Sequence, residues 1–192
     1  IHHNNQINNM KPKTILPLIA GICLLSTFSF FSCKKEKVEK PLAVATLTPT
    51  KADTSVTGGL QFFEEKDGRV TLKLDITVPK KRNSTVAIHL HEHGLCGNAG
   101  ADAHGHWNPT GKSHGMWGSG NFHAGDIGNI ALDENGRGSL QLTTDLWTLS
   151  GNAPTSIVGK GVIVHSGVDD YTSQPAGNSG PRIGCGVIEW KK

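Results

Sequence analysis

The clearest pattern along the chain is a strict alternation of apolar and polar residues over positions 70–78. Valine, leucine and isoleucine occupy every second position, and threonine, lysine and aspartate stand between them. Because successive side chains of a β-strand point to opposite faces, the pattern predicts a strand with one buried and one solvated face. The turn residues Lys66-Asp67-Gly68 predict that this strand forms a hairpin with residues 59–65.

Similar short strand patterns recur after residue 43, and no later stretch shows sustained helical periodicity. The turn residues at 133–136 predict a second hairpin before a strand at 138–143. Several short strands with turn signals between them are typical of a β-sandwich or barrel. The pattern therefore predicts an all-β domain.

Two segments interrupt this pattern, residues 94–125 and residues 166–182, and both are rich in Gly, Asn, Pro and Asp. Long irregular segments within a compact domain are usually functional or disordered. Seven of the ten histidines lie between His89 and Asp126, in the first segment and the strand before it. Imidazole and carboxylate groups are ligands for first-row transition metals, so these residues predict a metal site.

The histidines next to the first segment belong to a predicted strand. Residues two apart on a strand share a face, so His89 and His91 lie opposite Ile88 and Leu90. If the apolar face points into the core, the two histidines lie on the outer side, about 7 Å apart at Cα. The alternation at 162–165 places His165 on an outer face in the same way. One such histidine would more often be a surface residue, but together they predict chelation of one ion.

Five motifs occur at fixed spacings between residues 89 and 188. They are His89-Leu-His91-Glu-His93-Gly94, His106-Trp-Asn-Pro109, His123-Ala-Gly-Asp126-Ile-Gly-Asn129, Val164-His165 and Gly177-Asn178-Ser-Gly-Pro-Arg182-Ile-Gly-Cys185-Gly-Val-Ile188. With these motifs, residues 43–192 resemble Cu/Zn superoxide dismutase of the bacterial, exported type. The resemblance implies a Greek-key, immunoglobulin-like β-sandwich or barrel of about eight antiparallel strands with two long functional loops. It also implies an enzyme that converts superoxide to dioxygen and hydrogen peroxide.

The resemblance further implies two adjacent metal ions with overlapping ligand sets. The implied copper ligands are His89, His91, His106 and His165. The implied zinc ligands are His106, His114, His123 and Asp126. His106 would then bridge both metals. An all-nitrogen set suits copper, and three imidazoles with one carboxylate suit a closed tetrahedral zinc site. Zinc binding is thereby expected to order residues 94–125.

Three further roles are implied by the resemblance. Asp169 matches a carboxylate that accepts hydrogen bonds from a copper histidine and a zinc histidine together, although alone it would be read as a solvated acid. Arg182 matches an arginine that attracts and positions superoxide beside copper. His106 would take a proton when copper is reduced and supply it to the forming peroxide. His93 and His104 match no ligand of the family and are interpreted as loop or packing residues, with accessory metal capture as the alternative.

Two other functions are compatible with part of the pattern. A non-catalytic copper-binding or copper-delivery domain could use the same fold, but such relatives typically lose a copper ligand or the arginine, and all are present here. A zinc hydrolase is the second, because His89-x-His91-x-His93 loosely resembles the metallo-β-lactamase motif, but that motif continues with Asp-His, which Gly94-Leu95 does not supply. The hydrolase fold would also need alternating helices.

The N-terminal region is interpreted as an export segment of the lipoprotein type. Residues 1–9 precede the first methionine and are interpreted as upstream or added residues, followed by a signal peptide at 10–32. Cys33 resembles the lipidated cysteine of bacterial lipoproteins, with an ordinary secretory signal as the alternative. Residues 33–42 then form a charged tether before the domain at 43–192. We therefore predict a periplasmic or cell-envelope protein that contacts the membrane only through its lipid.

Charge and cysteine content add two expectations. The net charge of +3 creates no field suited to nucleic acid, so no such partner is expected. Cys23 lies in the signal and Cys33 at its end, which leaves Cys96 and Cys185 as a pair that an exported compartment permits to form a disulfide. Two free buried thiols are the alternative. Family members form different dimers or remain monomers, so a homodimer stays open.

Overall fold

The computed structural model describes residues 40–192, in which ten β-strands form two five-stranded antiparallel sheets. The strands are β1 (Ala43–Thr46), β2 (Thr48–Pro49), β3 (Thr57–Glu64), β4 (Val70–Thr77), β5 (Thr85–His91), β6 (Gly128–Ala131), β7 (Arg137–Thr144), β8 (Gly161–His165), β9 (Arg182–Val187) and β10 (Glu189–Trp190). Short 3-10 helices occupy Pro79–Lys81 and Asn98–Ala103. The predictions for residues 1–9, the signal at 10–32, Cys33 and most of the tether lie outside the described residues.

The order of strands in the two sheets is β10-β1-β3-β4-β7 and β2-β9-β8-β5-β6. Eight of the ten strands have four or more residues, and β2 and β10 have two each. The predicted all-β sandwich is therefore confirmed. Within residues 40–192, neither helix is long and apolar enough to cross a membrane.

The alternation that was clearest in the sequence corresponds to β4. Leu72 and Leu74 are buried in the core, whereas Lys73 and Asp75, which alternate with them, are exposed. The strand pairs with β3 along its whole length, with Leu60 opposite Leu74. The first predicted hairpin is therefore confirmed.

The second predicted hairpin is wrong, because β6 and β7 lie in different sheets. The turn itself forms, and the N–H of Gly136 donates to the Asp133 carbonyl at 3.0 Å. However, β6 pairs with β5 in one sheet, and β7 pairs with β4 in the other. A tight turn fixes the local direction of the chain, but each strand goes to the sheet where its apolar residues reach the core. The turn at 133–136 thus connects the two sheets.

The core between the sheets also anchors the first long loop, residues 92–127. Trp147 is fully buried and packs edge-on against Phe62, with ring centroids 6.2 Å apart. On its other side the ring meets Trp117 of the loop at 5.4 Å, and its indole N–H donates to the Ala124 carbonyl at 2.7 Å. The loop is therefore fastened to the hydrophobic core at two points.

A disulfide between Cys96 and Cys185 joins the start of the same loop to β9. Cys185 is buried in a small cluster with Ala103 and Ile163, and Cys96 packs against this cluster. This cluster lies on the outer side of the second sheet, away from the main core. Loop 92–127 is thus held against the outer face that carries His89 and His91.

Candidate metal centre

Two groups of four side chains lie side by side on the outer face of the second sheet. The first group consists of His89, His91, His106 and His165. The second group consists of His106, His114, His123 and Asp126. All seven residues are buried, and within each group the potential ligand atoms lie within 4.8 Å of one another. The structure thus brings together every residue that the sequence suggested as a copper or zinc ligand.

The strand histidines are on the outer face of the sheet, yet they are not exposed to solvent. His89 is 0% exposed and His91 is 1% exposed. Residues of loop 92–127 cover them by adding to the edge of β5, where the N–H of Trp107 donates to the Leu90 carbonyl at 2.8 Å. His106 forms a β-bridge with His91 in the same arrangement. Periodicity identifies the face of a strand, but it does not show what covers that face.

Backbone carbonyls fix the orientation of two rings in the first group. The Nδ1 of His91 donates to the His104 carbonyl at 2.9 Å, and the Nδ1 of His165 donates to the Gly180 carbonyl at 3.1 Å. Because a carbonyl only accepts, both rings carry their proton on Nδ1 when neutral. The Nε2 atoms of the two rings then face each other at 3.4 Å with free lone pairs. This arrangement suits shared coordination of one cation.

His89 and His106 complete the first group with unpaired nitrogens. The Nε2 of His89 hydrogen bonds to Asp169 at 2.8 Å, and the Nδ1 of His106 hydrogen bonds to Asp126 at 2.8 Å. Within residues 40–192, the opposite nitrogens, His89 Nδ1 and His106 Nε2, are buried without a hydrogen-bond partner. Buried polar atoms normally have partners, so these two atoms mark places where a ligand is needed. A metal ion fits this set of four imidazoles.

Asp126 lies at the centre of the second group. Its carboxylate oxygens lie 2.8 Å from Nδ1 of His106, 3.2 Å from Nδ1 of His123 and 3.0 Å from Nδ1 of His114. Burial opposes ionisation, but hydrogen bonds from His106 and His123 and from the Gly115 N–H outweigh it and lower the pKa of Asp126. Three imidazole nitrogens and one carboxylate converging on a point suit a closed tetrahedral zinc site.

Asp169 connects the two groups through a single buried carboxylate. Its Oδ2 accepts from Nε2 of His89 at 2.8 Å, and its Oδ1 accepts from Nε2 of His114 at 2.9 Å. Oδ1 also accepts from the Tyr171 N–H at 2.7 Å. Burial again opposes ionisation, and these hydrogen bonds outweigh it and lower the pKa of Asp169. One carboxylate therefore orients one ring in each group.

Burial also keeps three rings of the first group neutral. It is the main reason that the pKa of His91 is lowered to about 2, that of His106 to about 4 and that of His165 to about 3. The positive charge of Arg182 adds to the effect on His91 and His165. Neutral imidazole is the form that binds metals, so these rings are available as ligands at neutral pH.

Arg182 lies at the start of β9, opposite His165 of β8. Its half-buried guanidinium donates two hydrogen bonds, to the carbonyls of Gly100 and His104. Partial burial lowers the pKa of Arg182, but a guanidinium still keeps its charge at neutral pH. The cation is therefore held rigidly beside the first group.

Three residues that had no role predicted from the sequence support the centre. The side chain of Asn129 forms two hydrogen bonds of 2.8 Å with the backbone of Asp169, and the side chain of Gln174 forms hydrogen bonds of 2.9 and 3.0 Å with the backbone of His114. Gly177 has a φ of +64°, and a Cβ at this position would lie 1.8 Å from Oδ1 of Asp169. Asn129 and Gly177 stand inside the quoted motifs, but nothing in the sequence singled out Gln174.

The fold and the two groups together define a class of protein. It is an antiparallel β-sandwich with two candidate metal sites that share one imidazole, one site formed by four histidines and the other by three histidines and one carboxylate. The sequence model of the family described as copper/zinc superoxide dismutase (SODC) matches residues 56–188. The chain belongs to this family, which uses copper and zinc.

Individual relatives agree with this assignment. Cu-Zn superoxide dismutase 2 of Aquifex aeolicus is 37% identical over 181 residues, which cover 92% of this chain and 99% of that protein. Cu-Zn superoxide dismutase of Saccharomyces cerevisiae is 36% identical over 152 residues, covering 76% and 96%.

Solved structures show the same fold. The clock protein EA4 has a TM-score of 0.69 at 32% identity and covers 81% of this chain and 99% of its own. A double mutant of a superoxide dismutase-like protein from Bacillus subtilis has a TM-score of 0.67 at 27% identity, covering 76% and 96%.

Proposed function

We propose that this chain catalyses the disproportionation of superoxide to dioxygen and hydrogen peroxide at a copper and zinc centre. The proposed copper ligands are His89, His91, His106 and His165. The proposed zinc ligands are His106, His114, His123 and Asp126. The observation that carries the proposal is the position of His106, whose Nδ1 faces the second group and whose buried Nε2 faces the first.

Copper, when bound, supplies one-electron chemistry, so that one superoxide ion is oxidised to dioxygen and a second is reduced to peroxide. The chain must then provide protons and position the substrate. The Nε2 of His106 is the atom suited to hold a proton whenever it is not engaged by metal. Its Nδ1 stays fixed on the side of Asp126, so the ring keeps its place and can pass the Nε2 proton to the peroxide.

The second group holds this ring without taking part in electron transfer. Zinc has no redox chemistry, and a closed four-ligand site is typical of structural zinc. Asp126 and the rings of His114 and His123 are almost inaccessible to water, which keeps the Nδ1 side of His106 dry. Proton exchange at His106 is therefore directed to Nε2.

Arg182 is proposed to position the superoxide anion. Its charge is permanent, and its two hydrogen bonds to backbone carbonyls keep it beside the rings of His91 and His165. A fixed cation in a cleft focuses the field on a small anion, an effect for which superoxide dismutases are a standard example. The second loop, residues 166–181, carries two acidic groups and no basic side chain, so Arg182 is the main local source of attraction.

The test compares the copper- and zinc-loaded chain with His165→Ala in an assay of superoxide removal, with both metals measured. We expect an active chain and a variant that loses copper and activity while it keeps zinc, because His165 belongs only to the first group. Full activity in the variant would overturn the copper assignment. An inert, fully loaded chain would favour the alternative, a copper-binding or copper-delivery domain, although that function does not require Arg182 beside the site.

We further propose that the chain is of the bacterial, exported type, with a signal peptide at 10–32, a lipid on Cys33, a tether at 33–42 and the catalytic domain at 43–192. The apolar stretch before Cys33 supports this, and the disulfide between Cys96 and Cys185 suits an oxidising compartment. The location would be the periplasm or the cell envelope. Unchanged lipid labelling and membrane retention in Cys33→Ser would contradict it.

A homodimer is the remaining proposal about assembly. Family members differ in this respect, and the exposed apolar side chains of Leu95, Met116 and Trp190 offer surfaces that a second copy could cover. Light scattering on the purified domain over a range of concentrations measures the mass directly. A monomer mass at every concentration would contradict a stable dimer.

A further inference from the structure

A third group of potential metal ligands lies on the surface next to the copper group. It consists of Glu92, His93 and His104, all exposed, with their ligand atoms within 4.8 Å of one another. The two imidazole rings meet edge to face, with centroids 4.6 Å apart. We propose that this group, called here the surface triad, is a third metal site that binds a divalent first-row transition ion such as Cu²⁺, Ni²⁺ or Zn²⁺.

The backbone holds the two halves of the surface triad together before any ion binds. The N–H of Glu92 donates to the Gly105 carbonyl at 3.0 Å, and the N–H of His93 donates to the Ala103 carbonyl at 3.2 Å. His104 lies between these two acceptors. The ligands therefore come from two segments that are already aligned, and binding an ion costs little backbone ordering.

The backbone of His104 has an unusual conformation that supports a role for its side chain. Its φ is +61° and its ψ is −143°, a region that residues with a Cβ rarely adopt. Its carbonyl accepts hydrogen bonds from Nδ1 of His91 and from Arg182, which hold the backbone in place. Glycine would fit this conformation without strain, but the chain has a histidine whose ring lies against His93.

The ligand atoms of the surface triad are free to bind an ion. Within residues 40–192, no hydrogen bond or ion pair engages the side chains of Glu92, His93 or His104, whereas the rings of the first two groups are held by carboxylates and carbonyls. Two imidazoles with one carboxylate suit divalent copper, nickel and zinc, with copper bound most tightly. Because the three side chains are exposed, water can occupy the remaining coordination positions of the ion.

The charges around the surface triad are mixed. Glu92 supplies a negative charge within the triad, while Arg182 contacts the His104 carbonyl and Lys160 donates to the Glu92 carbonyl at 3.2 Å. Both cations contact backbone oxygens and not the ligand atoms. The site is therefore expected to bind more weakly than the two buried groups and to fill after them.

The test uses Ni²⁺ as the probe, because nickel can be counted separately from copper and zinc. The full chain is loaded with copper and zinc, and it carries His2→Gln and His3→Gln so that this second pair of histidines in the sequence cannot bind the probe. Calorimetric titration and elemental analysis should show one Ni²⁺ per chain. In His93→Gln the affinity for Ni²⁺ should fall by at least about tenfold. Losing a hydrogen-bond partner that orients a metal ligand already costs about that much, and losing the ligand itself should cost no less.

A second variant separates loss of binding from loss of folding. His104→Gly removes the ring at a position where glycine is unstrained, so nickel binding should be lost without any fall in the temperature of unfolding. No Ni²⁺ bound in the parent chain, or unchanged affinity in His93→Gln, would overturn the proposal. Copper content, zinc content and superoxide removal are measured on the same His93→Gln samples and should not change. A failed third site thus remains distinguishable from a failed catalytic centre.

Discussion

Replacing Asp169 with alanine should weaken the zinc group more than the copper group. The carboxylate is ionised, 1% exposed and hydrogen bonded to one ring of each group. A hydrogen bond to a charged group contributes about 1.5–3 kcal/mol. At about 1.4 kcal/mol per factor of ten, the loss of one such bond corresponds to roughly a tenfold to a hundredfold change in affinity. Removing a group that orients a metal-binding histidine has typical effects of about the same size.

The two rings differ in what else holds them. His89 lies near the middle of β5, which is paired with β6 and β8, and its ring packs at a tilt against that of His106, with centroids 3.9 Å apart. His114 lies in loop 92–127, outside any strand, and its backbone is held by Gln174. Without Asp169 the ring of His114 loses its only hydrogen bond at Nε2 among residues 40–192. We therefore expect zinc affinity to fall by the whole of this tenfold to hundredfold factor and copper affinity to fall by less.

The measurement is a competition between the chain and a chromophoric zinc chelator, performed with copper already bound. Asp170→Ala is the matched control, because Asp170 is exposed and, among residues 40–192, its carboxylate accepts hydrogen bonds only within its own turn, from Thr172 and Ser173. The control should keep wild-type zinc affinity. Wild-type zinc affinity in Asp169→Ala would refute the reasoning, and so would a loss of copper that exceeds the loss of zinc.

Three further predictions concern the second loop, the disulfide and the arginine. Gly177→Ala should release zinc and lower the temperature of unfolding, because the added Cβ would overlap Asp169. Gly151→Ala, where the added Cβ meets open space, should change neither the zinc content nor the temperature of unfolding, as measured by metal analysis and thermal melts. A variant with serine at both Cys96 and Cys185 should lose about 4–5 kcal/mol of unfolding free energy, because the disulfide closes a loop with a sequence separation of 89 residues. Urea titrations measure this loss, and a value below about 1 kcal/mol would contradict the chain-entropy estimate. Arg182→Gln should keep its copper and zinc, but its rate of superoxide removal should fall and should depend less on ionic strength. An unchanged salt dependence in stopped-flow assays would show that other charges steer the substrate.

Much of the fold followed from local patterns, and the one clear error shows where such patterns stop. The alternation at β4 predicted the strand, its buried face and the hairpin with β3, because each of these depends on residues close in sequence. The turn at 133–136 also formed, but its two flanking strands belong to different sheets. The choice of partner depends on strands more than 40 residues away, as in the pairing of Val86 with Ile130.

In the candidate site, too, the features that depend on nearby residues were predictable from the sequence, and those that depend on distant residues were not. Histidines at fixed spacings were visible in the sequence, and the strand alternation correctly gave their face. Their complete burial was not predictable from periodicity, because it depends on loop 92–127 folding back over β5. Gln174 was also missed, since a glutamine in a polar loop has no distinguishing pattern, and its role exists only through its contact with His114, 60 residues away.

The support of each loop ligand suggests the order in which the two metals are lost. His106 comes from a loop, but its β-bridge to His91 and the bond from Trp107 to Leu90 hold it almost as firmly as a strand residue. This rigidity suits a ring that must face both groups. His114 has no such bridge and depends on side chains from the second loop. Zinc should therefore leave first when the loops loosen, because the backbone of His114 is held by a side chain of the second loop, whereas the backbones of the copper ligands lie in strands or in the β-bridge.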